Sequence, residues 1–207
     1  VLAYLFEQCD IFERPPDGAG KSSLIELIHF LMGASPDPSS LWRADALSQY
    51  SFGMEFDLDR ARTQIERSGD TSSKVIIREA SPENWPIRPN RDRLSGTLAI
   101  SNTNWRTVLG RLIFGLMDDD DGIQASKFGP TFRSLFSYFA RRQSAGGFVS
   151  PIKQSIQQQT WDQQVAISYL LGLDWTIPQQ WQYIHEKERN VVWVQAFLSM
   201  IVTFLMV

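Results

Sequence analysis

Gly18, Ala19, Gly20, Lys21, Ser22 and Ser23 carry the clearest chemistry in this chain. Their order fits the end of the phosphate-loop pattern G-x-x-x-x-G-K-[ST], a glycine-rich turn set between a strand and a helix. Glycines let main-chain amides turn inward around a phosphate with no Cβ in the way. A helix beginning near Lys21 points its positive dipole end at the anion. Lys21 would reach the β- and γ-phosphates, and the Ser22 hydroxyl would ligate Mg2+, which prefers hard oxygen donors. The expected ligand and cofactors are therefore ATP and Mg2+, with residues 18–23 as the binding segment and Ser22 as the metal contact. Upstream the pattern departs. Pro15 stands where the first glycine belongs, with a fixed φ and no N–H. Asp17 places a carboxylate beside the phosphates. An accidental glycine turn is the competing reading.

The elements around this segment follow from periodicity. Residues 1–6 are short and apolar and read as a buried strand, and residues 7–17, with Pro15-Pro16, read as a loop. Leu24, Ile25, Leu27, Ile28 and Leu31 recur at helical spacing, and Gly33 stops that helix. Phe52, Met54, Phe56 and Leu58 alternate, and two further strands at 62–67 and 74–78 flank the turn Ser68-Gly69-Asp70. The three predict an antiparallel meander. Residues 80–98 read as a long surface loop and 105–116 as a helix. Residues 131–142 predict an amphipathic helix with Phe132, Leu135, Phe136 and Phe139 on one face, broken by Gly146-Gly147. A short helix runs to Leu171, and a polar helix spans 178–189 with Trp181 and Ile184 as its anchors. The expected division is 1–79 as an ATP-binding core, 80–189 as a helical subdomain and 190–207 as an apolar tail.

Composition sets the class. Of 207 residues, 43% are hydrophobic and 21% charged, which is globular. A net charge of −3 supplies no global attraction to nucleic acid. One cysteine, Cys9, excludes an internal disulfide and fits a cytoplasmic setting. The tail from Val191 to Val207 has no charge. A bilayer span needs about 20 apolar residues. Gln195, Ser199 and Thr203 dilute this run, so a buried terminal element is favoured over a membrane tether.

DGAGKSSLIELIHFLMGAS, residues 17–35, resembles the phosphate loop and first helix of ATPases of the structural-maintenance-of-chromosomes (SMC) class, whose loop commonly reads N-G-x-G-K-S-[ST]-h-h-E, with h apolar. Glu26 fits the last position. SFGMEFDLDRARTQIERSG is similar to the β-meander that follows in that class. SNTNWRTVLGRLIFGL, FGPTFRSLFSYFARRQSAGGF and QQTWDQQVAISYLLGLDW point to a narrower, poorly characterised bacterial group of SMC-like coiled-coil ATPases. The resemblance covers about residues 17–189. It implies an α/β fold of ABC/SMC type: a P-loop NTPase N-terminal lobe with an antiparallel β-meander and a helical subdomain. It also implies partners, either a C-terminal lobe bringing Walker B and the signature motif or a second copy, and a role in DNA maintenance or defence against foreign DNA. Without those groups, turnover by this chain alone should be very slow. A non-catalytic interaction module with a degenerate loop, tethered to a membrane by its tail, is the alternative.

Other constellations have bland readings beside the functional ones. Asp174, after an apolar run, mimics Walker B but also suits a helix end, and Phe52 to Asp57, with Glu55 inside, mimics it more weakly. Gln163 or Gln164 is a candidate water-sensing glutamine. Asp118 to Asp121 suit a solvated acidic loop better than a cation site. Lys127, Arg133, Arg141 and Arg142 could touch DNA phosphates, or form an ordinary solvated face. His29 is expected to be packed.

Overall fold

The computed structural model describes residues 19–36, 40–92, 96–116 and 127–205. The expected first strand, Cys9, Pro15, Asp17, Gly18 and the acidic run Asp118 to Asp121 lie outside the described residues.

Helix α1 (Ala19–Leu31) is followed by a 3-10 turn (Leu41–Arg43) and the short α2 (Asp45–Ser48). Strands β1 (Ser51–Leu58), β2 (Ala61–Ser68) and β3 (Lys74–Glu79) come next, within a residue or two of where alternation placed them. Asp59 and Arg60, both at positive φ (51° and 63°), join β1 to β2 as a two-residue hairpin. Asn84 donates to the Asp59 carboxylate at 3.1 Å and holds that turn. Beyond it lie β4 (Asn90–Arg91), β5 (Leu98–Ser101) and α3 (Asn102–Phe114). The helices α4 (Phe132–Phe139), α5 (Thr160–Leu170) and α6 (Thr176–Leu205) complete the described chain.

The sheet has five strands in the order β1-β2-β3-β5-β4, and every pairing is antiparallel. This overturns the expected P-loop NTPase fold of ABC/SMC type, whose nucleotide lobe is built on a parallel sheet. The reason lies in the connections. Two-residue and five-residue links from β1 to β2 and from β2 to β3 return the chain to the neighbouring position in the opposite direction, whereas parallel neighbours need a crossover of about a dozen residues or more. The meander therefore does not flank another sheet among the described residues; with β4 and β5 added, it is the sheet.

Four further expectations change. Residues 80–98 do not form a surface loop throughout, because Trp85 is buried against Trp105, their ring centroids 5.7 Å apart, and Leu98 begins a strand. The helix expected over 131–142 ends at Phe139, whose ring is 70% exposed. Trp181 and Ile184 do not anchor α6 in the core; both lie open to solvent. The expected tail continues α6 through Leu205 instead of starting a separate element. Among the described residues no helix is long and apolar enough to cross a membrane.

The core lies between the sheet and helices α1 and α3. Ile65, Val75, Ile77 and Ile100 of the sheet meet Phe30 and Leu31 of α1 and Trp105, Val108 and Leu109 of α3. The C-terminal end of α1 is a polar seam inside this core. Gly33, at φ +90°, closes the helix, with Ala34 N–H donating to the His29 carbonyl and Gly33 N–H to Phe30. Carbonyls at this end also take side-chain donors. Arg67 of β2 donates to Phe30 and Ala34, Trp105 Nε1 to Leu31 at 3.0 Å, and Asn102 to Gly33 at 3.2 Å. Arg67 also donates to the Ser72 carbonyl and lies 4.4 Å from the centroid of the Phe30 ring. Burial and the nearby Arg106 and Arg133 lower its pKa to about 10, so it stays charged at neutral pH.

Arg67→Lys should lower stability by about 2 kcal/mol, because one ammonium cannot reach the carbonyls that the planar fork bridges. Urea unfolding monitored by tryptophan fluorescence reads the change; a midpoint equal to that of the parent would show that the fork contributes nothing.

Candidate phosphate-binding site

Helix α1 begins at Ala19, two residues earlier than expected, so Gly20 and Lys21 belong to its first turn. An α-helix leaves its first N–H groups without intrahelical partners, and their dipoles add to a partial positive charge. Residues 19–22 therefore present main-chain donors from inside the sequence that suggested a phosphate loop. Gly18 lies outside the described residues, as do the side chains of Lys21 and Ser22. Ser23 is half-buried.

One turn further on, α1 turns polar on one side. Glu26 accepts from Ser144 Oγ at 2.8 Å and pairs with Arg142 at 3.2 Å. His29 is fully buried and stands edge-on to Phe136, ring centroids 5.4 Å apart. Arg133 can only donate, so its 2.9 Å contact makes His29 Nδ1 the acceptor. His29 Nε2 then carries the proton and donates to the Ala140 carbonyl at 2.5 Å. A neutral ring satisfies both contacts. Burial lowers the His29 pKa from 6.5 to about 4, and the charges of Arg142 and Arg133 add to this, against the opposing effect of the Ala140 carbonyl. Burial, with Arg142 and Arg106, also lowers Arg133 to about 10. Arg133 Nη1 and Arg142 Nε are buried with no hydrogen-bond partner among the described residues. Helix α1 is thus clamped on α4 and the segment after it by a network richer in cations than in carboxylates.

The structure disperses the other candidates. Arg133 and Arg142 are half-buried against α1, as just described. Arg141 donates to the carbonyls of Gly147, Ser150 and Pro151, and Lys127 pairs with Glu186. The four basic residues thus do not form one patch: Arg133 and Arg142 contact α1, Arg141 braces the loop after α4, and Lys127 remains exposed beside Glu186. Asp174 is no Walker B residue. It is exposed and caps α6, accepting from Thr176 N–H at 3.0 Å and from its hydroxyl at 2.6 Å, and these bonds lower its pKa. Glu55 sits in β1 and pairs with Arg62 across the hairpin at 2.6 Å. Gln163 and Gln164 lie on α5. Among the described residues no group of three or more His, Cys, Asp or Glu could hold a metal ion.

The periodicity of α1 did not reveal the network of Glu26, His29, Arg133 and Arg142, because its members come from segments more than a hundred residues apart in sequence. His29 inside an apolar repeat was the available signal. No family model, curated protein or solved structure matches the chain.

The lowered His29 pKa has a consequence for stability. The unfolded chain takes up a proton near pH 6.5, the folded chain only near pH 4. The contribution of neutral His29 is therefore complete above pH 6.5, is lost progressively as the pH falls toward 4, and changes no further below that. The loss is at most about 3 kcal/mol. His29→Gln should flatten this part of the stability profile in urea titrations; an unchanged slope between pH 6.5 and 5 would show that His29 titrates normally.

Proposed function

We propose that the chain binds the phosphates of Mg·ATP on the main-chain donors of residues 18–23. One observation carries this reading: a helix of 13 residues begins at Ala19, within the Gly-Ala-Gly-Lys-Ser-Ser run. Lys21 supplies a mobile cation to the terminal phosphates, and Ser22 supplies a hydroxyl to Mg2+. Mg2+ neutralises phosphate charge and offsets the carboxylate of Asp17. The proposal rests on the loop and helix alone and makes no use of a parallel sheet. Hydrolysis requires a carboxylate to position water, and this chain gains one from a C-terminal ATPase lobe or from a second copy. The resemblance of residues 17–35 to the SMC class supports that division of labour and an association with DNA.

A second reading, a non-catalytic interaction module, is favoured by one region. Val191, Val192, Trp193 and Val194 are all exposed on consecutive positions of α6, so this part of the helix is apolar all round and open to solvent. Such a surface marks an interaction site more often than a bare one.

Titration with a fluorescent ATP analogue in Mg2+ separates the two. The parent chain should bind, Lys21→Ala should weaken binding about ten-fold or more, and Ser22→Ala should remove most of the Mg2+ dependence. Equal binding by the parent and Lys21→Ala, or no binding by either, rejects the nucleotide reading.

A further inference from the structure

Helices α5 and α6 form a hairpin. Gly172 turns the chain at φ +69°, and Asp174 caps the start of α6. A cleft of about 600 Å³ opens between the two helices, and Trp161, Gln164, Trp181, Gln182 and His185 are among its lining residues. A second hollow of about 470 Å³ continues from it, sharing Trp161, Gln182 and His185 and adding Lys127, Glu186 and Arg189. Both volumes fall in the range of small-ligand sites.

The walls are not those of a simple apolar groove. Trp161 is half-buried and fixed, edge-on to Phe128 at 5.0 Å, and Phe128 is itself buried and braced by Tyr183 at 5.0 Å. Trp181 is 58% exposed, and the tilted ring of His185 lies beside it at 5.4 Å. One indole is thus preset and the other is open. Gln164 and Gln182 add amides that both donate and accept. A flat heteroaromatic ring satisfies both features, its faces on indole and its edge on amides. In the adjoining hollow Glu186 is matched by its ion pair with Lys127, and Arg189 adds a further cation.

We propose that this cleft binds a nucleobase carrying an adjacent phosphate, as presented by a single-stranded nucleic acid. The base lies against Trp181 and Trp161, its edge meets Gln164 and Gln182, and the phosphate sits toward Arg189. Stacking on aromatic side chains tolerates any base, since each has a π-face. The inference goes beyond the ATP reading and uses none of residues 18–23.

Fluorescence anisotropy of a short labelled oligo-dT at low salt tests it, with thymidine monophosphate as competitor. The parent chain should bind. Trp181→Ala should weaken binding about ten-fold, and Trp181→Phe should retain most of it, because a ring remains to stack. Arg189→Ala should weaken binding and flatten its salt dependence. Far-UV circular dichroism checks that each variant keeps its helices. Competition by the monophosphate at concentrations matching the oligomer's nucleotide content identifies a free nucleotide as sufficient; failure to compete identifies a strand, and both uphold the site. No binding of either probe overturns the proposal, as does parent-like binding by both Trp181→Ala and Arg189→Ala, or Trp181→Phe binding as weakly as Trp181→Ala. Lys21→Ala should bind oligo-dT like the parent, so loss of ATP binding and loss of this site are read separately.

Discussion

The guanidinium of Arg67 is buried between the end of α1 and the turn from β2 to β3, and no carboxylate pairs with it among the described residues. Its charge is answered by carbonyl oxygens of Phe30, Ala34 and Ser72 and by the face of the Phe30 ring. The Phe30 carbonyl belongs to the C-terminal end of α1, where the helix dipole is negative, and that of Ala34 follows just beyond it. A single side chain thus caps the helix, joins it to the sheet and closes a turn. Lysine offers one compact charge and could not span these acceptors, whereas the planar fork can. With Trp105 and Asn102 on neighbouring carbonyls, the helix end becomes a socket whose donors come from β2 and α3. The direction of α1, and with it the placement of the amides at its start, is set by this socket.

The other side of α1 is held differently. Glu26 and His29 meet Arg142, Ser144, Arg133 and Ala140 from a segment far along the chain. Neutral His29 is the member that makes the network coherent, since it accepts from a cation on one nitrogen and donates to a carbonyl on the other. A protonated ring would face Arg133 with like charge. Helix α1 therefore sits between a charged cap at its end and a polar clamp along its flank. A helix fixed at two places transmits little slack to its first turn, where a ligand would need amides already in position.

Much of the sheet is legible in the sequence. Phe52, Met54, Phe56 and Leu58 alternate, and the strands 62–67 and 74–78 follow with a glycine turn between them, so the hairpins and their antiparallel sense follow from local pattern and short links. The strand at 98–101 was hidden because four residues carry too little periodicity, and the Pro- and Arg-rich stretch before it looked like surface. Trp85 shows why that failed: one aromatic ring reaches the core from an otherwise polar segment, which composition averaged over a window cannot register. The ABC/SMC-type lobe implied by the resemblance failed for a different cause. Its antiparallel meander is present, but likeness in local sequence does not fix which further strands join the sheet or in which sense they pair.

By itself the sequence determined the local things: the helix that begins at the Gly-Ala-Gly-Lys-Ser-Ser run, its stop at Gly33, and the three-stranded meander. Each depends on residues within a few positions of one another, so propensity and spacing suffice. Only the tertiary structure decided that Arg67 is internal, that His29 is neutral, that Arg133 and Arg142 serve α1, and that Trp161 and Trp181 share a cleft. Those outcomes hinge on which distant segment arrives beside a given side chain and excludes water from it. Charge, tautomer and partner are settled by that encounter, and no local pattern contains it.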